Sequence, residues 1–247
     1  MFLAPTEVLD GDEIRLDGPE GRHAVVVRRI EVGEEIDLTD GVGTVVTGVV
    51  TSVGNAALNA RVRRRRTVPP PAPRVVVAQA IPKGDRGETA VETLTEVGVD
   101  EIVPWSAQRS MVRWKGERRD KHLTRWRSTA REAAKQSRRP WLPRVADPVD
   151  TAELAARAAA VTLAVVLHEE APTPLAEVTV PPAGDILLVV GPEGGVSPAE
   201  TSALVDAGAV LAHLGPTVLR TSTAGTVAAG VVLSRTARWR GRLGPNE

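Results

Sequence analysis

The stretch TVPPPAP, residues 67–73, divides the chain more sharply than any other feature. Its four prolines fix φ and remove four backbone donors, so the segment cannot lie inside a sheet and favours a stiff, extended connection. The hydrophobic pattern has a different period on either side. Before it, EEIDLTDG, GTVVTGVVTSV and AALNARVRRRR are short strand-like runs jointed by Gly, Asn and Asp. That is the spacing of a small antiparallel barrel, interrupted by one short helix over EGRHAVVVRRI. After it, RVVVAQAI, DEIVPW, VTLAVVLHEE, DILLVVGPEGG and AVLAHLGP read as strands separated by helical stretches. Strands alternating with helices predict an α/β domain with a mainly parallel sheet. The expected organisation is a barrel at 1–66, a linker at 67–73 and an α/β domain at 74–247.

Within the second region a long helix is predicted over Glu117–Ser137, with Leu123, Trp126, Ala130, Ala133 and Ala134 as its inward stripe. SPAE supplies a helix start, with Ser197 as N-cap, Pro198 at N1 and Glu200 at N3. The last helix is expected over TAGTVAAGVVLSRTARW. Formal net charge is zero, but residues 61–144 carry 21 Lys/Arg against 9 Asp/Glu. Segregation on this scale predicts a polyanionic partner. Trp105, Trp114, Trp126 and Trp141 fall in or beside the same segment, in a chain with one Phe and no Tyr. Cations interleaved with aromatics fit contacts to phosphates and stacking on bases, with some of the tryptophans serving as core.

Other chemistries are excluded. Without cysteine there is no disulfide, thiolate metal site or Cys nucleophile. The four histidines lack the spacing of a helical zinc site, so no metal is expected. Neither GxxxxGK[ST], GxGxxG nor GxSxG occurs. No apolar run approaches the roughly 18 residues of a membrane span, and the acidic MFLAPTEVLDGDEIRLDG is unlike a signal peptide, so a cytoplasmic protein without a membrane partner is expected.

Two Gly-Pro turns, in LLVVGPEGGVSPAE and LGPTVLRTSTAG, each follow an apolar strand, and VVLHEE ends a third. Ligands of open parallel sheets sit beyond the carboxyl ends of the strands. Loops at Leu167, Gly191 and Leu214 could therefore hold a flat, hydrogen-bonding ligand such as an adenine nucleoside.

Five blocks carry a resemblance. They are RHAVVVRRIEVGEEIDLTDG (22–41), IPKGDRGETAVETLTEVGVDEIVPWSAQRSMVRW (81–114), REAAKQSRRPWLP, GPEGGVSPAE and LGPTVLRTSTA. In that order and spacing the chain resembles the RsmE family of 16S ribosomal RNA (uridine-N3) methyltransferases, members of the SPOUT superfamily. The resemblance implies a PUA-like barrel that holds RNA and a SPOUT domain whose trefoil knot binds S-adenosylmethionine. It also implies a homodimer with the active site at the subunit interface, acting on 16S ribosomal RNA or the small ribosomal subunit and not on DNA. The apolar final helix is a candidate dimer surface, though core packing explains it equally well.

Cofactor contacts are then expected from Leu167, Gly191, Gly195, Leu214, Val218, Leu219 and Thr221. RNA contacts are expected from Arg22, Arg28, Arg29, Lys83, Arg86, Arg109 and Arg113. Deprotonation of uridine N3 spreads charge onto O2 and O4, and Arg220 is the candidate cation that stabilises it, with bonding to loop carbonyls or to the cofactor carboxylate as its other readings. Where the family usually reads LRTETA this chain has LRTSTA, with Ser222 at the place of a carboxylate. A serine hydroxyl is too weak a base for this proton, so water or Glu193 is the expected acceptor, with His168 and Glu169 as lesser candidates. Two other readings stay open: a SPOUT enzyme acting on ribose 2′-hydroxyls or transfer RNA, and a non-catalytic RNA-binding protein.

Overall fold

The computed structural model describes residues 1–240, and the expected second domain thus ends on residues, 241–247, outside that range. The described residues form two compact units, Met1–Pro70 with Ala134–Leu142, and Pro71–Ala133 with Pro143–Arg240.

The first unit comprises β1 (Phe2–Leu3), α1 (Thr6–Leu9), β2 (Glu13–Leu16), α2 (Gly18–Arg22), β3 (Glu35–Thr39), β4 (Thr44–Val53) and β5 (Leu58–Thr67). They make a five-stranded sheet in the order β1-β3-β4-β5-β2. Alternation places Ile14, Leu16, Ile36, Leu38, Val46, Val50, Leu58 and Ala60 in one core with Phe2 and Leu9. The sheet is not purely antiparallel as expected, because β1 runs parallel to β3. The chain between those two strands crosses over through helices, and only a crossover permits parallel pairing. The helix expected over EGRHAVVVRRI is α2 continued by a wider π-turn at His23–Val27, where Arg28 N–H donates to His23 O at 2.9 Å.

Residues 134–142, read from the sequence as part of the second domain, pack in this unit. The Trp141 indole donates to Val68 O at 3.0 Å, and Leu142 N–H donates to Gly41 O at 2.9 Å. Gly43 has no Cβ to spare here, since one would lie 2.8 Å from the Trp141 ring. Lys135 Nζ meets Glu20 Oε1 at 2.8 Å, both buried.

The second unit contains β6 (Arg74–Ala80), α3 (Arg86–Val97), β7 (Glu101–Trp105), α4 (Glu117–Gln136, whose last residues fall in the first unit), β8 (Arg144–Val145) and α5 (Thr151–Ala160). It continues with β9 (Leu163–Leu167), β10 (Asp185–Val190), α6 (Pro198–Asp206), β11 (Val210–Ala212) and α7 (Thr221–Leu233). The sheet order is β11-β9-β10-β6-β7-β8 and every pairing is parallel. Successive strand residues point to opposite faces. Val75, Val77, Ile102, Ile186 and Leu188 meet Leu94, Trp126, Ala228 and Val232 of α3, α4 and α7. Val76, Ala78, Val103, Leu187 and Val189 meet Leu154 and Leu204 of α5 and α6.

The expected final helix is shorter than its pattern: α7 ends at Leu233, and Thr236 caps a separate 3-10 turn over Ala237–Trp239. Arg238 on that turn forms a two-pronged ion pair with Asp100, at 2.6 and 3.1 Å. The tryptophans do not form a stacking platform. Trp105, Trp114 and Trp126 are buried, with Trp114 stacked on His122 and edge-on to Trp126 at 4.9 Å. Large rings in a chain with almost no Phe or Tyr are its main means of filling core volume. At the amino ends of the strands, buried Glu101 receives Arg74 and Arg157, and Arg74 also holds Asp185 at 2.8 Å. Among the described residues no helix is long and apolar enough to cross a membrane.

Candidate active site

The carboxyl ends of β9, β10, β6 and β11 open onto one edge of the second unit, and the expected loops emerge there. The loops after β9 and β11 are laced together. His168 N–H donates to Ala212 O, and Leu175 N–H and His213 N–H exchange bonds with His213 O and Thr173 O, all at 2.9–3.0 Å. Leu167 and Leu214 sit half-buried against the core beneath them, and Val218 is 80 % exposed.

The loop after β10 is a tight turn closed by Gly195 N–H to Pro192 O at 2.9 Å. Gly195 lies at φ +74°, in the left-handed region that disfavours a side chain. At Gly191 a Cβ would come within 2.8 Å of the Val196 side chain. Ser197 and Glu200 close the turn into α6 as a capping box. Glu200 does more than cap. Its buried carboxylate also accepts from Gln108 N–H at 2.7 Å and Thr151 Oγ1 at 3.0 Å, tying the loop after β7 and the start of α5 to this turn. Burial works against its ionisation, but the hydrogen bonds from Gln108, Ser197 and Thr151 outweigh that and hold the carboxyl below its ordinary range.

Several predicted residues meet at this loop. Glu193 Oε1 faces Arg86 Nη1 at 3.4 Å and Lys83 N–H at 3.5 Å. From the other side Arg109 Nη1 donates to Gly194 O at 3.2 Å. Two of the residues expected on RNA therefore also brace the turn. Arg113 is exposed beside Ser106, Gln108, Asp150 and Thr151, around an open depression of about 420 Å³. Arg22, Arg28 and Arg29 lie exposed on the first unit.

Arg220 is the exposed N-cap of α7 and makes no side-chain cap. Its carbonyl accepts from Thr223 and Ala224 N–H, and among the described residues its guanidinium meets no carboxylate, Glu193 included. Thr221 and Ser222 behind it are buried. Sequence reasoning missed Gln79, which reaches this helix start from the end of β6: Nε2 donates to Thr221 O at 3.2 Å. A lone polar residue in the apolar run RVVVAQAI was the available signal. It counted the arginines of β5 in the basic segment but named none of them as an RNA contact, and Arg61, Arg63 and Arg66 are exposed.

A parallel sheet with glycine-rich turns and cations at its carboxyl edge is a setting for a bound ligand, and the family matches give the class, an RNA methyltransferase. Residues 69–233 match the RNA methyltransferase domain family and residues 16–62 the RNA methyltransferase PUA domain. The chain is 50% identical over 243 residues to the ribosomal RNA small subunit methyltransferase E of Mycobacterium bovis, covering 97% of this chain and 93% of that relative. A methyltransferase of Legionella pneumophila, solved in complex with the bound cofactor SAM, is 30% identical with a TM-score of 0.83, covering 95% of this chain and 97% of the other. The ribosomal RNA small subunit methyltransferase E of Neisseria gonorrhoeae, solved bound to S-adenosyl methionine, is 26% identical with a TM-score of 0.82, covering 94% and 96%. The chain belongs to the ribosomal RNA small subunit methyltransferase E family.

Proposed function

We propose that this protein methylates N3 of a uridine in 16S ribosomal RNA, using S-adenosylmethionine. The observation that carries the reading is an exposed Arg220, which meets no carboxylate among the described residues, at the same sheet edge as the backbone loops of Gly191, Gly195 and Leu214. Those loops suit the cofactor. Gly195 and Gly215 have positive φ, a Cβ at Gly215 would meet nothing within 4 Å, and Val218 is open to solvent, so backbone groups can be approached closely. Leu167, Gly191, Gly195, Leu214, Val218, Leu219 and Thr221 would hold it. When bound, it supplies an electrophilic methyl group on a sulfonium.

The chain's own residues supply position and charge. Uridine N3 lies on the Watson–Crick edge, so the base must leave its pairing, and exposed Lys83, Arg86, Arg109 and Arg113 hold the flanking phosphates. Arg220 stabilises the negative charge that develops on O2 and O4. Glu193 or water accepts the N3 proton. Glu193 suits the task because Arg86 and Lys83 engage only Oε1, which leaves Oε2 without a protein partner among the described residues. Arg22, Arg28 and Arg29 give the PUA unit its own phosphate contacts.

A trefoil knot in the second unit and a homodimer with the site at its interface rest on the family resemblance. A linker at 67–73 between domains that begin at residues 1 and 74 rests on its prolines, with residues 134–142 returned to the first unit, and a cytoplasmic location rests on the acidic amino-terminal stretch. Exposed Val227 and Trp239 on and beside α7 support the dimer.

The test is methylation of small subunits from a strain lacking the gene, followed by mass spectrometry of the nucleosides. 3-Methyluridine is expected, and a 2′-O-methyl product would overturn the assignment. Arg220→Ala should bind cofactor normally and lose most of its turnover. Glu193→Gln should lose less and recover part of it at higher pH.

A further inference from the structure

Gln79 lies in the middle of the parallel sheet, paired in register with Val190 of β10 and Pro104 of β7. It has no solvent-exposed surface. Its Nε2 donates to Ala80 O and to Thr221 O, both at 3.2 Å, while Oε1 has no partner among the described residues. Because both facing groups are carbonyls, only the amide nitrogen can be turned toward them. A buried amide oxygen left unpaired is destabilising, and an apolar side chain of similar length would avoid it. Stability therefore gives no reason for an amide at this position. The bond it makes to Thr221 does.

Thr221 is the first residue of α7, between Arg220 and the buried Ser222. Among the described residues the Arg220 guanidinium meets no carboxylate, so its direction depends on the backbone from which it springs. Two contacts fix that backbone. Gly225, one turn on, packs within 3.2 Å of Val190 and 3.4 Å of Val77, measured from where its Cβ would stand, and Gln79 holds the Thr221 carbonyl. We propose that Gln79 is a positioning residue, which fixes the start of α7 so that Arg220 points at the reacting base. The inference rests on the charge-stabilising role given to Arg220 above.

Gln79→Met keeps length and apolar fill while removing both the donor and the unpaired oxygen, and Gln79→Leu is the second variant should Met fail to fold. Unfolding midpoint and S-adenosylmethionine affinity by calorimetry should match the parent, while kcat at saturating cofactor should fall on the order of 10- to 100-fold. Added to Arg220→Ala, the substitution should cost nothing further, since both act through one group. Three results would overturn the proposal: turnover falling only as far as stability falls, a changed cofactor affinity with kcat intact, or additive losses in the double variant. If Arg220→Ala itself retains turnover, the reading of Arg220 has failed. If Arg220→Ala is inactive and Gln79→Met is not, only the role of Gln79 has failed.

Discussion

Glu200 shows how much one side chain can organise. It is 5% exposed and accepts hydrogen bonds from the backbone of Gln108 and Ser197 and from the hydroxyls of Ser197 and Thr151. With its folded pKa held below the usual 4.5, the stability it contributes is complete above that value and is lost as pH falls through the folded one. Glu200→Gln should therefore cost about 2 kcal/mol at pH 7, as expected for hydrogen bonds to a charged group. The gap in urea midpoint between parent and variant should then narrow as pH is lowered below about 4. A gap that stays constant with pH would show that the charge is irrelevant. The sequence announced the local half of this role, because Ser197 and Glu200 are three residues apart in a cap pattern. The other half spans 92 residues to Gln108 and 49 to Thr151, and no local pattern encodes such pairings. The pairing of Gln79 with Thr221, 142 residues apart, was illegible for the same reason.

At the level of elements, periodicity carried most of the information. The inner strands β6, β7, β9 and β10 are largely apolar on both faces because helices cover both, and the alternation with helices announced the parallel sheet. What failed lay where tertiary packing overrides local pattern. The basic, Trp-containing segment was read as contacts to phosphates and bases with some tryptophans as core, yet Trp105, Trp114 and Trp126 all turn inward while most of its cations face solvent, which a linear reading cannot separate. The turn after β10 is the element on which cofactor binding should depend most. A left-handed conformation costs a non-glycine residue roughly 1–2 kcal/mol, about tenfold in an equilibrium. Gly195→Val, at φ +74°, and Gly191→Ala, against Val196, should each weaken S-adenosylmethionine binding by at least about that factor. Val218→Ala, on an 80 % exposed side chain, should change it by less than about threefold. Normal calorimetric binding by Gly195→Val would place the pocket elsewhere.

For the molecule as a whole, zero formal net charge conceals an ordered distribution, and salt dependence of RNA binding is its measurable consequence. The cations expected on RNA fall into two physical kinds. Arg22, Arg28 and Arg29 on the first unit, with Lys83 and Arg113 on the second, have side chains that meet no carboxylate among the described residues. Each can act through counterion release alone, and replacing one by Ala should lower the slope of log affinity against log salt by about 0.7 on single-stranded RNA. Turnover at saturating RNA should be unchanged. Arg86 and Arg109 also grip the turn that carries Glu193, through Glu193 Oε1 and Gly194 O. Arg109→Ala should therefore reduce kcat as well as the salt slope, and Arg86→Ala, which frees Glu193 Oε1, should reduce kcat too. Filter binding from low to moderate salt, paired with single-turnover assays at saturating RNA, separates the two kinds. If Arg28→Ala left the slope intact, the PUA unit would hold RNA by some means other than this arginine's charge. If Arg109→Ala behaved no differently from Arg28→Ala, the brace on the turn would have no part in catalysis.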